Sequence, residues 1–222
     1  MVTPPEDDVV HVYSHARGRV LDLVAGLSRE DATMPVPACP GWSVHDVVAH
    51  LTGNVEDVLA GRLTGPPTDE QTAAQTARHR NEPISQVIEI WCEMAPDFEQ
   101  IISAFDVWPA AIDAVTHEQD IRGALGQPGG RDTPGVSICA QKVIGWWSPP
   151  SPIVLHLDDQ PIRCGPGEGE PLGLRTTHFE TLRFRMGRRS RRQLAALDWS
   201  GDPIGVIDHV VVFGPSPYDI VE

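Results

Sequence analysis

Pro40-Gly41-Trp42-Ser43-Val44-His45-Asp46-Val47-Val48-Ala49-His50-Leu51 reads as a turn, a helix start and a histidine two turns into an amphipathic helix. Ser43 sits where an N-cap belongs and Asp46 follows three residues later, a capping-box spacing that also puts an acid in the first turn. Val44, Val47, Val48, Leu51, Val55, Val58 and Leu59 form a continuous apolar stripe, so the helix is expected to pack on a core. At about 100° per residue, His50 falls on one shoulder of that stripe, beside Asn54 and near Asp46 and Asp57. His45 falls on the other shoulder, so the two histidines do not share a pocket.

Outward from this stretch the first two-thirds of the chain read helical. Val9, Tyr13, Val20, Val24 and Leu27 recur at helical spacing, and a proline-marked loop from Met34 to Pro40 follows. Beyond the loop Gly61 to Pro67, a polar run reads as helix through Arg80. Pro83 opens a long segment carrying Ile84, Val87, Ile88, Trp91, Phe98, Ile101 and Ile102, which Pro96 is expected to kink or split. A last helix of this part spans Pro109 to Leu125 and stops at Gly126. On it Asp113, Thr116, His117 and Asp120 share one narrow sector.

Composition changes at Trp146-Trp147-Ser148-Pro149-Pro150-Ser151-Pro152, which reads as an interdomain linker. The expected domains are 1–147, a helical bundle, and 153–222, a small α+β unit of about 70 residues. In the second, Ile153 to Leu157 and Val206 to Phe213 are rich in β-branched residues and read as strands. Short helices are expected near Phe179 to Met186 and Ser190 to Leu197. No internal repeat is visible.

At 222 residues and 41% hydrophobic content the chain can bury real cores. A formal net charge of −14 opposes a nucleic-acid partner and an anionic membrane surface. No run approaches about eighteen apolar residues, and Met1 to Asp8 lacks a basic signal-peptide region, so a soluble, cytoplasmic protein is expected. Cys39, Cys92, Cys139 and Cys164 include no Cys-x-x-Cys and read as reduced structural thiols.

Two histidines and a carboxylate, His50, His117 and Asp113, can hold a divalent metal and leave a coordination position open. Such a set neutralises one of the two positive charges, and the remainder favours an anionic further ligand, hydroxide or thiolate. Spacing alone also allows His50 to be a hydrogen-bonded core residue, and Asp113–His117 to be an exposed i, i+4 pair worth a few tenths of a kcal/mol, on the order of 0.3. Arg183, Arg185, Arg188, Arg189, Arg191 and Arg192 concentrate positive charge in an acidic chain, as a solvated helix face or as an anion clamp. Trp42 and Pro40 read as packing residues of the turn, and Ser43 as a cap rather than a nucleophile. There is no Gly-x-Ser-x-Gly, P-loop or dinucleotide fingerprint.

Cys39 through Leu51 resembles the PGWSVxDVxAHL signature of the actinobacterial mycothiol-dependent maleylpyruvate isomerase family. His117-Glu118-Gln119-Asp120-Ile121-Arg122-Gly123-Ala124-Leu125-Gly126 resembles its HEQDIRxALG segment, and Gly187 through Asp202 its GRRSxxQxxALDWSGDP pattern. His209 to Pro215 is similar to its closing strand, so the likeness runs in order along nearly the whole chain. The resemblance implies an α+β protein: an N-terminal DinB-like four-helix bundle followed by a small α/β C-terminal domain. It implies His50 and His117 as metal ligands, with Asp113 standing where the family usually has a glutamate ligand. Aspartate is about 1.5 Å shorter, against a tolerance of about ±0.2 Å, so a helix shift, a bridging water or a weaker site are the available outcomes.

The expected function is that of a mycothiol-dependent, metal-assisted enzyme with zinc as the metal and a small electrophile as substrate. Thiolate attack followed by release of the adduct makes an S-transferase. Expulsion of the thiol after bond rotation makes a cis–trans isomerase. Arg188 in Gly187-Arg188-Arg189 is the expected contact for the thiol or substrate. Two rivals stand beside this reading: a metal-dependent hydrolase with Asp120 as base, and a non-catalytic ligand-binding protein. The spacing does not fix the oligomeric state.

Overall fold

A computed structural model describes residues 8–222. The acidic start at positions 1–7, part of the expected first domain, lies outside the described residues. Contacts divide the chain into two compact units, residues up to 129 together with Glu222, and Gly130–Val221.

The first unit is built on four long helices. α1 (Val9–Val24) starts at Asp8, whose side chain accepts from the Val10 N–H, and buries Val9, Val12, Tyr13, Ala16, Val20 and Val24. The short α2 (Arg29–Ala32) precedes α3 (Val44–Leu59), where Ser43 and Asp46 close the expected capping box. α4 (Asp69–His79) begins with a second capping box, Thr68 with Gln71. α5 (Ile84–Phe105) runs through Pro96 as one helix rather than two. Contacts on either side of Pro96 hold it to α1: fully buried Trp91 donates its indole N–H to the Tyr13 hydroxyl at 2.8 Å, and the Phe98 ring packs on the Tyr13 ring. α6 (Trp108–Leu125) has Pro109 in its first turn and ends at Gly126, which takes the left-handed conformation at φ 62°.

α1, α3, α5 and α6 pack as a four-helix bundle, α1 against α6 and α5, α3 against α5 and α6, with α4 laid on α3. Helix α6 is buried on nearly every face, which obliges its polar residues to find partners. Glu118 shows how: its carboxylate, wholly inaccessible, accepts from Arg19 of α1 and from Arg122 one turn along.

The second unit opens with α7 (Pro134–Gly145), which packs on α8 (His178–Arg185). Strands β1 (Ile153–His156), β2 (Pro161–Cys164), β3 (Leu172–Arg175) and β4 (Asp198–Trp199) form a sheet in the order β2-β1-β3-β4. β1 pairs antiparallel with β2 and parallel with β3, Ile153 lying opposite Cys164 on one side and Leu172 on the other. α9 (Arg191–Ala195) carries a third capping box, Ser190 with Gln193. The proline-rich stretch 146–152 lies inside this unit: Trp147 joins its core and donates its indole N–H to the His209 carbonyl at 2.7 Å.

The expected strand at Val206 to Phe213 is not formed. Ile207–His209 is a 3₁₀ turn, and Val206, Ile207 and Val210 reach the core from it without strand pairing. Tertiary burial here overrides the β-propensity of branched residues. Among the described residues no helix is long and apolar enough to cross a membrane.

Candidate metal centre

The capping box fixes where α3 begins, and from there His50 is carried to the buried interior, where it meets α6 and α4. His45, on the other shoulder, turns away to the Glu82 carbonyl at 2.9 Å. On α6, Asp113 and His117 stand one turn apart and face His50. The Asp113 carboxylate lies between the two imidazoles, Oδ2 3.4 Å from His50 Nε2 and Oδ1 3.4 Å from His117 Nε2.

Two reference spacings bear on these separations. Two donors each about 2.05 Å from a tetrahedral centre stand about 3.3 Å apart. A charge-assisted N–H···O bond brings them to about 2.8 Å. The observed 3.4 Å separations lie near the first spacing and end on different oxygens of Asp113, and one ligand atom from each of the three residues lies within 4.8 Å of the others. The residues present therefore fit a divalent cation.

The opposite nitrogens are tied down. His50 Nδ1 is 2.9 Å from Gln75 Oε1 and His117 Nδ1 is 2.9 Å from Asp120 Oδ2, so each ring donates there and turns Nε2 inward. Asn54 adds an amide nitrogen 3.0 Å from Asp113 Oδ2 and 3.2 Å from His50 Nε2. Gln75 in turn donates to Asn54 Oδ1 and Asp57 Oδ2, both at 2.9 Å, and Asp57 accepts from Arg62 and Arg78. Although burial works to raise the Asp57 carboxyl, these hydrogen bonds and the Arg78 charge hold it below its usual range.

Two residues read as structural from the sequence belong to this centre. Trp42 lies against both imidazoles, 5.0 Å from the His50 ring and 6.1 Å from the His117 ring between centroids. Cys39, half-buried, places Sγ 3.4 Å from Asp120 Oδ2 and 3.8 Å from His117 Nδ1. Their position in the motif beside Ser43 was the available signal. All four cysteines are free thiols. Gln75 was not expected at the centre; Asp57, expected near His50 on the same helix, reaches it through Gln75.

Burial alone would raise the Asp113 carboxyl, but the His117 and His50 imidazoles drive it far below the carboxylate range. Burial would lower His117, yet the Asp113 charge, with hydrogen bonds to Asp113, Asp120 and Cys39, raises it well above its ordinary value. In the metal-free protein His117 is thus an imidazolium between two carboxylates. Its raised value contributes stability that is complete below about pH 6.5, its unfolded value, and is lost as pH rises through the folded value. A cation competes with that proton, so affinity should rise about tenfold per pH unit below the His117 value and then level off. Chelator-competition titrations across pH check this; a flat profile would exclude His117 as a ligand.

The arginine-rich segment lies in the second unit, and the solvated-face reading fails for half of it. Arg183, Arg185 and Arg189 are buried. Arg189 forks onto Glu180 at 2.6 and 2.7 Å. Arg185 stacks over Trp147 and donates to the Val210 carbonyl, with burial pulling its value down to about 10. Arg188 is half-buried and donates to the Met186 carbonyl at 2.6 Å. A broad groove of about 1510 Å³ in the first unit, lined by Leu27, Arg29, Arg80, Glu82 and Ile88 among others, contains none of His50, Asp113 and His117. Donor spacing, not cavity size, marks the centre.

Residues 13–120 match the family model described as the mycothiol maleylpyruvate isomerase N-terminal domain. No curated protein is significantly similar to the chain in sequence. The fold is that of a crystal structure of the mycothiol-dependent maleylpyruvate isomerase, with TM-score 0.55 and 12% identity over 85% of this chain and 92% of that one. A structure of a histidine-to-alanine mutant of that enzyme gives TM-score 0.54 and 12% identity over 84% and 92%. Bundle and matched domain agree with the motifs at Cys39–Leu51 and His117–Gly126, and residues 13–120 belong to the mycothiol maleylpyruvate isomerase N-terminal domain family.

Proposed function

We propose that His50, Asp113 and His117 hold a divalent metal, zinc, and that the protein is a mycothiol-dependent isomerase or S-transferase acting on a small electrophile. The observation that supports this most is the pair of 3.4 Å edges around Asp113, set in a domain of a family named for a mycothiol-dependent isomerisation. A bound divalent cation supplies a Lewis acid that lowers the pKa of a thiol. His50 and His117 contribute neutral nitrogens and Asp113 one negative charge, so the residues leave a net positive centre that prefers an anionic partner. Trp42 covers both imidazoles on one side and limits water there. The role of Arg188 in holding the thiol rests on the motif Gly187-Arg188-Arg189.

The hydrolase reading loses its base. Asp120 is fully buried and engaged with His117 Nδ1 and Cys39, which makes it an orienting carboxylate rather than one facing substrate. Elemental analysis of the purified full chain, followed by alkylation assays on mycothiol, cysteine and glutathione, tests the proposal. Stoichiometric zinc and a strong preference for mycothiol are expected. A protein with no metal after zinc supplementation would be the non-catalytic ligand-binding member, and metal with no thiol chemistry would return the hydrolase.

A further inference from the structure

The hydrogen-bond chain behind His50 has a direction, and one acceptor sets it. An ionised carboxylate only accepts. Asp57 takes Arg62 Nε and Arg78 Nη2 on Oδ1, each at 2.7 Å, and Gln75 Nε2 on Oδ2 at 2.9 Å. The Gln75 end facing Asp57 must therefore be its amide nitrogen, whose second hydrogen goes to Asn54 Oδ1 at 2.9 Å. That leaves Gln75 Oε1 facing His50 Nδ1, which must carry a ring proton, so that in the neutral ring the lone pair falls on Nε2. The same logic turns the Asn54 nitrogen inward. One of its hydrogens reaches Asp113 Oδ2 and the other reaches the His50 Nε2 lone pair.

Resting on the metal reading above, we infer that Asp57, acting through Gln75, fixes the His50 tautomer and the Asn54 amide, so that Asn54 presents an N–H donor to the anionic ligand completing the site. Once the His50 lone pair is given to a cation, the second Asn54 hydrogen loses its acceptor while Gln75 still holds the amide in place. That hydrogen would then be free to meet an anionic ligand of the metal. The ligand class it selects carries a negative acceptor atom, a thiolate sulfur or an oxyanion. Asp57 and Gln75 are positioning residues, and Gln75 is fully buried on α4 against Gly53 of α3, where a Cβ would approach its Cβ to 2.6 Å.

The test has two independent arms on the full chain. In the metal-free protein above the His117 transition, ¹⁵N shifts of the His50 ring should report the proton on Nδ1. In Asp57→Asn, whose own amide can satisfy either end of Gln75, the ring should divide between tautomers, while Arg62→Gln, which leaves the Asp57–Gln75 bond intact, should not. A wild-type ring protonated on Nε2 overturns the inference, whatever metal does. In the second arm cobalt(II) and 2-mercaptoethanol serve as probes, read by the sulfur-to-cobalt charge-transfer band. Compared at cobalt concentrations that saturate both proteins, Asn54→Leu should weaken the thiol about tenfold relative to wild type. Equal thiol affinity in wild type and Asn54→Leu overturns the donor role. Absence of cobalt binding by the wild type removes both the metal reading and that donor role, and the ¹⁵N measurement still decides what Asp57 does.

Discussion

His50→Ala is expected to lower divalent-metal affinity by about a thousandfold. The estimate divides an apparent binding free energy of about 10–16 kcal/mol among three protein ligands, about 4 kcal/mol each, at about 1.4 kcal/mol per decade. His50 is the cleaner of the two histidines to remove. Its loss leaves the neutral Gln75 Oε1 without a donor and one hydrogen of the neutral Asn54 amide without its His50 acceptor, whereas removing His117 strands the buried Asp120 carboxylate beside Cys39. His45→Ala is the matched control, because that ring is spent on a backbone carbonyl and should change metal affinity by less than about twofold. Chelator competition with circular dichroism measures both variants. Wild-type affinity in a folded His50→Ala would place the metal elsewhere or nowhere.

What the sequence disclosed and what it hid follow from the range of the interactions. Helix α3 was legible because its cap, its stripe and the sector of His50 are all local to sixteen residues. Asp113 and His117 were legible for the same reason, one turn apart on α6. Their meeting with His50 came only from family likeness, since nothing local positions α6 against α3. Gln75 was hidden because a buried glutamine in a polar helix looks like a solvated one, and with it the link from Asp57 to His50. Helix α7 escaped notice although Thr133-Pro134 is a good helix start, and the short strands β2 and β3 carry too few branched residues to declare themselves. The one written trace of the α3–α4 contact is Gly53, a glycine in mid-helix between core residues Leu51 and Val55.

That glycine yields the second large effect. Gly53→Val should destabilise the protein by about 3 kcal/mol, the upper part of the overpacking range. A Cβ there would stand 2.6 and 2.7 Å from Gln75 Cβ and Cγ and 3.2 Å from its Cα, and no rotamer change moves the Cβ or Cα, so α4 itself must move. The displacement carries Gln75 away from His50, and metal affinity should fall about tenfold or more even in the folded fraction. Gly18→Ala supplies the opposite sign from the same chemistry. Gly18 lies inside α1 with nothing within 4 Å of a built Cβ, so alanine should gain up to about 1 kcal/mol of helix propensity. Urea unfolding of both variants reads the stabilities, and chelator competition reads the site. A Gly53→Val protein as stable as wild type would mean that α4 is not seated on α3, and the support assigned to His50 through Gln75 would fall with it.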